Sequence, residues 1–312
     1  MSVTTATEDV ASQPPSTVDT IPGLFQLDHR YNDRGDIEIL ERSERVAKTK
    51  HADKPLVFRR IFDSKHKIEE KRLDINSTHI LKALSEIVKY YPSHPTRFDE
   101  PLKIAAPYRL LYHHWEQLAE RMEGDSGESK MHLQALLFLL EREIGPDRRA
   151  AKELEKNGFI RYSLLWTILR PGDLLLEGQG IGKRLYRFET GEYHRTAEGN
   201  YFKLEWSGTT YDGLRTGRER GKDTIQEFSG VSEIASLPVF PLAHSPKQKD
   251  VKEKLLARGR KYLDLKGLQI MRYNGDLQWL QKPPQTFFSI RSGDYAGTWQ
   301  LRAVSLQSQS SG

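Results

Sequence analysis

The sequence predicts an α+β protein: an N-terminal, mainly helical region followed by a small antiparallel β-sheet or barrel and a basic amphipathic helix. Three observations predict it. Apolar residues recur at helical spacing between Ser77 and Leu154, short strand-like runs divided by turn residues take over after Leu169, and a Lys- and Arg-rich helical pattern follows Pro246.

Residues 1–20 are rich in Ser, Thr, Pro, Ala and Val and carry no Lys or Arg. Without a periodic apolar face they read as a disordered leader, and the lack of basic residues argues against a mitochondrial transit peptide. A mixed, mainly helical region is expected over 21–168. Within it, Leu56-Val57-Phe58 and Arg72-Leu73-Asp74-Ile75 flank a charged connection and predict a pair of strands. Ser77 to Tyr90 is the clearest helix, because Ile80, Leu81, Leu84, Ile87 and Val88 fall on one face. Asn76 or Ser77 caps its start and Pro92 stops it. A second helix is expected from about Tyr108 to Met122, with Leu111, Trp115, Leu118 and Met122 aligned. The polar connection from Glu123 to Glu128 leads to a third, carrying Met131, Leu133, Leu136, Leu137 and Leu140. Gly145-Pro146 should break that helix before a further turn through Ala151 and Leu154.

Residues 169–276 form the β-rich region with a C-terminal helix. Its strand candidates are Leu174 to Leu176, Arg184 to Phe188, Tyr201 to Trp206 and Thr224 to Phe228. Tyr201, Lys203 and Glu205 alternate with Phe202, Leu204 and Trp206, the mark of a strand buried on one side and wet on the other. After Pro246, Val251, Leu255, Tyr262 and Leu263 gather on one side of a helix that should pack back onto the sheet. The tail, 277–312, ends in Ser and Gln and is expected to be weakly ordered.

Hydrophobic residues make up 37% of the chain and charged residues 29%, a globular composition. The absence of cysteine excludes a disulfide framework, thiol catalysis and thiolate metal sites. No apolar run approaches the roughly 20 residues that cross a bilayer, so no membrane is expected and an intracellular location, cytoplasmic or nuclear, is. The net charge of +5 comes from 48 basic against 43 acidic side chains, mostly interleaved. That is weak grounds for nucleic acid, whose binders concentrate charge on one patch.

Four motifs suggest chemistry, and each has a plainer explanation. Gly178-Gln179-Gly180-Ile181-Gly182-Lys183-Arg184 resembles a phosphate loop, but Glu177 holds the first glycine position and Arg184 the place of the magnesium-binding hydroxyl. Strand-like residues follow where a helix is needed, so it reads as a turn between strands. Gly124-Asp125-Ser126-Gly127 looks like a serine-protease signature but joins two predicted helices. His113 and His114 are neighbours on a helix, about 100° apart, and cannot readily share a metal ion. One of them is expected to pack beside Trp115 or bond a carbonyl. The carboxylate pairs Glu69-Glu70 and Asp99-Glu100 sit in charged surroundings that separate no acid from a base. No catalytic residue, cofactor or metal is expected. The densest positive stretch, Lys247, Lys249, Lys252, Lys254, Arg258, Arg260 and Lys261 against Asp250 and Glu253, is the candidate partner-binding surface.

Several phrases carry a resemblance. Leu164-Leu165-Trp166-Thr167-Ile168-Leu169-Arg170-Pro171-Gly172-Asp173 resembles a stretch of an uncharacterised domain that precedes the ATPase core in many fungal AAA+ proteins. Phe228-Ser229-Gly230 with Ile234, Leu237 and Pro241-Leu242, then Ala257-Arg258-Gly259-Arg260-Lys261-Tyr262, then Tyr273-Asn274-Gly275, are similar to that domain's later segments in the same order. Ala106-Pro107-Tyr108 fits more loosely upstream, so the likeness spans about residues 24–276. The resemblance implies a non-catalytic accessory region whose partner is a protein or a substrate of the AAA+ motor. Relatives continue into Walker A, Walker B and arginine-finger elements, whereas this chain runs about 37 residues past Gly275 with none of them. The expectation is therefore a region without its ATPase core. The alternatives are a nucleic-acid-binding module and a fragment of a full-length ATP-hydrolysing AAA+ protein.

Overall fold

A computed structural model describes residues 21–32, 35–41, 54–94, 97–178, 183–211 and 215–264. The leader 1–20, residues 265–276 and the tail 277–312 lie outside them. The chain divides into two compact units. The first holds residues 21–84, Phe98–Pro107 and Trp115–Leu140, and the second Ser85–Arg97, Tyr108–His114 and the chain from Glu141.

The first unit is built on a five-stranded sheet of β1 (Leu24–Tyr31), β2 (Ile37–Glu41), β3 (Leu56–Phe62), β4 (Ile68–Ile75) and β5 (Leu102–Ala105), in the order β2-β1-β3-β4-β5. β1 and β3 run parallel and the other pairs antiparallel. The expected strand pair is β3 with β4, Leu56 facing Ile75 and Phe58 facing Leu73, all four buried. β1, β2 and β5 add strand content that the apolar pattern did not announce.

β1 escapes because its centre is Asp28-His29-Arg30. Asp28 and His29 find partners across the sheet. Arg60 lies opposite Asp28 and forks onto its carboxylate, Nε–Oδ1 2.8 Å and NH2–Oδ2 2.6 Å. Arg59 reaches Asp74 at 2.6 Å and the His29 ring at 3.1 Å. Burial, then the Arg59 and Arg72 charges, lower the pKa of His29, so this imidazole stays neutral among arginines.

α1 (Thr78–Ile87) opens on Ser77, whose Oγ accepts the Ile80 N–H at 3.3 Å, as the capping argument requires. Ile80, Leu81 and Leu84 are buried. Two helix predictions need correction. The single helix expected from Tyr108 to Met122 is two, α2 (Arg109–His113) and α3 (Trp115–Gly124). The break falls at His114, whose φ of -116° leaves the helical region and whose Nδ1 bonds the Leu110 carbonyl at 2.8 Å. Conversely, α4 (Gly127–Lys156) runs unbroken through Gly145 and Pro146. Proline's fixed φ is compatible with a helix, and the single lost N–H bond is outweighed where apolar residues on both sides, here Leu139, Leu140, Ile144 and Ala151, are buried. Gly124 ends α3 and Gly127 begins α4, so the Gly-Asp-Ser-Gly tetrapeptide is the predicted helix connection.

The second unit contains α2, α4 from Glu141 onward, α5 (Leu165–Ile168), and a five-stranded antiparallel sheet in the order β10-β9-β8-β7-β12. The strands are β7 (Leu174–Glu177), β8 (Arg184–Thr196), β9 (Gly199–Tyr211), β10 (Thr216–Gln226) and β12 (Val239–Pro241). β6 (Phe159–Ile160) and β11 (Ser232–Glu233) make a separate two-stranded ladder, and α6 (Gln248–Asp264) comes last. Among the described residues no sheet closes into a barrel. Glu177 pairs with Arg184, so the glycine-rich stretch between them joins two antiparallel strands, as expected.

The alternation in β9 holds. Phe202, Leu204 and Trp206 are buried while Tyr201, Lys203 and Glu205 are half-exposed. Phe202 and Leu204 pack with Leu165, Trp166, Ile168, Leu175, Leu176 and Ile234 into one core. Burying side chains of this size contributes about 1.5–3 kcal/mol each. Gly221 on β10 faces Trp206, whose ring stacks on Tyr186 at 3.6 Å. A Cβ on Gly221 would come within 2.2 Å of the indole, so the glycine is what lets the ring lie there.

β8 carries a bulge between Phe188 and Thr190. Its inward residues are Tyr186 and Phe188 before the bulge and Gly191 and Tyr193 after it.

Candidate functional site

α6 follows Pro246, with the Lys247 carbonyl accepting the Val251 N–H at 2.9 Å. Val251 and Leu255 pack half-buried on the second unit's core, and the Arg258 guanidinium bonds the Lys183 carbonyl. Val251, Leu255, Arg258 and Tyr262 recur every three or four residues and form the anchored side. Asp250 in the first turn and Lys261 in the last complement the helix dipole.

All seven predicted partner-binding residues are exposed: Lys247 just before the helix and Lys249, Lys252, Lys254, Arg258, Arg260 and Lys261 on it. They are not one patch. At about 100° per residue, Lys249, Lys252 and Arg260 share the outer side, Lys254 and Lys261 project elsewhere, and Arg258 belongs to the anchor. The outer side also displays Leu256, 49% exposed, and Leu263, 37% exposed. The sequence pattern had grouped Leu263 with the packed residues and passed over Leu256. The seven-residue spacing of the two leucines was the available signal.

The wet face of the second sheet holds a polar cluster. The bulge aims Glu189 so that Oε2 accepts the Tyr90 hydroxyl and Oε1 accepts Ser207 Oγ and the Arg218 guanidinium, the last at 2.5 Å. Burial raises the carboxyl pKa, but these hydrogen bonds outweigh it and hold it below its usual value. Both oxygens are occupied by structural donors. Arg187 sits over the Tyr90 ring at 5.3 Å, and Arg187 and Arg220 flank Ser207 from either side across β9. Beside this cluster, Thr190, Gly191, Glu192, Lys203 and Glu205 line a shallow cleft. Glu205 there is bonded by Lys203 at 3.2 Å and Lys222 at 3.3 Å.

His113, His114 and His132 have carbonyl or hydroxyl partners. His113 Nε2 donates to the Trp166 carbonyl at 2.9 Å, which leaves Nδ1 to accept the Tyr91 hydroxyl at 3.1 Å. With the His114 bond to Leu110, both neighbours bond a backbone carbonyl, where one of them was expected to do so or to pack beside Trp115. In the first unit, His132 Nδ1 lies 2.8 Å from Ser77 Oγ, the spacing of a nucleophile and its base. Ser77 is only 4% exposed and its oxygen also caps α1, so the pair braces the helix start. Among the described residues no group of three His, Asp or Glu could hold a metal ion. None of the described helices is long and apolar enough to cross a membrane.

The model of a domain of unknown function (DUF7025) matches residues 150–246. That span runs from the end of α4 through the second sheet and stops just before α6. No curated protein and no solved structure matches the chain.

Proposed function

We propose that this chain is a non-catalytic recognition module of the kind that accompanies an AAA+ ATPase core, and that α6 is the surface it offers to a protein partner. The observation that supports the reading is the helix itself: none of its 17 residues is buried, yet Val251, Leu255 and Arg258 fix it in place. A helix already ordered and left uncovered loses little further freedom on binding. The resemblance to the region preceding fungal AAA+ ATPases supplies the context, since such regions lie where substrates or adaptors are met. The shifted titratable groups at Glu189, His113 and His132 are all engaged in structural hydrogen bonds, which favours recognition over chemistry.

A second reading, nucleic-acid binding, draws on the exposed Arg218, Arg220 and Lys222 of edge strand β10 with Arg187 nearby on the same face. One experiment separates the two. A photo-crosslinking residue at position 249 in cells gives a discrete, nuclease-resistant protein adduct that is lost on Lys252→Glu with Arg260→Glu. A nuclease-sensitive adduct, or labelled DNA or RNA binding that tightens as salt falls and disappears with Arg220→Glu and Lys222→Glu, would establish the second reading instead. ATP hydrolysis by the purified chain above a mock preparation would overturn both.

A further inference from the structure

The outer side of α6 pairs two features that a generic basic helix lacks. Leu256 and Leu263 are seven residues apart and so lie within about 20° of each other on the helix surface. Both are exposed, and neither is among the residues packed on the core. Lys249, Lys252 and Arg260 lie within about 50° of that line, on either side of it. The acids Asp250, Glu253 and Asp264 are turned roughly 70–130° away. The result is a narrow seam of two leucines at heptad spacing, one of the two apolar positions of each heptad in a coiled-coil contact, with three cations beside it and one carboxylate, Glu253, a turn before Leu256.

Resting on the recognition reading above, we infer that this seam binds an acidic amphipathic helix of a partner protein, one that sets apolar residues at heptad spacing against Leu256 and Leu263 and carboxylates against Lys249, Lys252 and Arg260. Charge complementarity selects this occupant. A second copy of the chain would oppose cations with cations in either orientation along the seam. A nucleic acid meets the cations but offers nothing to match a row of leucines. A bilayer surface takes a helix whose apolar face is broad and aromatic, whereas this face is one residue wide. Two features give specificity together: the leucines fix the register and the cations exclude basic or neutral helices.

The test is a titration of the full chain, followed by fluorescence anisotropy, against a labelled synthetic peptide of about three heptads with leucines at heptad spacing and flanking glutamates. The comparison probe is a peptide of the same composition in scrambled order. The patterned peptide binds at least about tenfold tighter than the scrambled one. Leu256→Ser with Leu263→Ser removes that preference while circular dichroism stays unchanged, and Lys252→Glu with Arg260→Glu abolishes binding of both peptides. Equal binding of the two peptides, or unchanged binding by the double-serine variant, overturns the inference. So does tighter binding of an oligodeoxythymidylate, or of phosphatidylserine vesicles, than of the patterned peptide. If the crosslinked protein adduct from position 249 persists while the peptide preference fails, the recognition reading stands and the helical partner alone is wrong.

Discussion

Asp28 and Arg60 sit directly opposite each other on parallel neighbouring strands, and the guanidinium meets the carboxylate through two bonds of 2.8 and 2.6 Å. The Asp28 side chain is 8% exposed and that of Arg60 29%. Such a two-pronged pair fixes the register of β1 against β3 as well as contributing charge.

Replacing Asp28 with Ala strands a half-buried guanidinium. The variant loses about 2 kcal/mol, below the full cost of breaking a wholly buried pair because Arg60 keeps some water. Urea unfolding measures it, and Asp28→Asn with Arg60→Met in a double-mutant cycle isolates the pair.

His113 makes the second unit acid-sensitive. Burial above all, with the nearby charges of His114, Arg170 and Arg109, pushes its pKa down to about 3 although the Trp166 carbonyl opposes this. In the unfolded chain it titrates near 6.5. The unfolded state therefore takes up the proton first, so the contribution is complete above about pH 6.5 and is lost as pH falls toward 3. The expected slope is up to about 1.4 kcal/mol per pH unit. His113→Gln, which keeps a donor for Trp166 and an acceptor for Tyr91, removes that part of the slope between pH 6 and 4, read from thermal melts as a difference from the parent.

Gly221→Ala drives a methyl into the Trp206 ring. The chain loses about 1–3 kcal/mol, and the near-ultraviolet dichroism of the Tyr186–Trp206 stack changes. Adding Trp206→Leu relieves the clash, so the double variant is more stable than the sum of the two single changes requires.

On α6 the neighbours Leu255 and Leu256 answer differently. Leu255→Ala removes part of the anchor and speeds amide exchange along the helix. Leu256→Ala leaves exchange unchanged, since that side chain touches solvent.

Much of this architecture is local enough to read along the chain. Phe202, Leu204 and Trp206 announce a one-sided strand by themselves, and so does the capped start of α1 at Ser77. β1 is different, because Asp28 becomes tolerable in a sheet only through an arginine 32 positions later. Pro146 misleads for the opposite reason: the local rule is sound, but tertiary burial on both sides of it outweighs one missing bond. At α6, periodicity placed the basic residues on a helix but grouped Leu263 with the packed residues. Only exposure shows that Leu256 and Leu263 lie on an uncovered side.

The extra residue in β8 has a consequence for how the strand can change in length. Because inward positions are even-numbered before it and odd-numbered after it, excising Glu189 alone would remove the extra residue, and Thr190 to Thr196 would stay in phase with β9. Excising Gly191 with the bulge kept would instead make Tyr193 and Glu192 exchange sides, putting a carboxylate into the hydrocarbon and a phenol into water. A single-codon deletion at the bulge thus keeps the phase of the strand, whereas one beyond it that leaves the bulge in place acts on every later side chain of β8 at once.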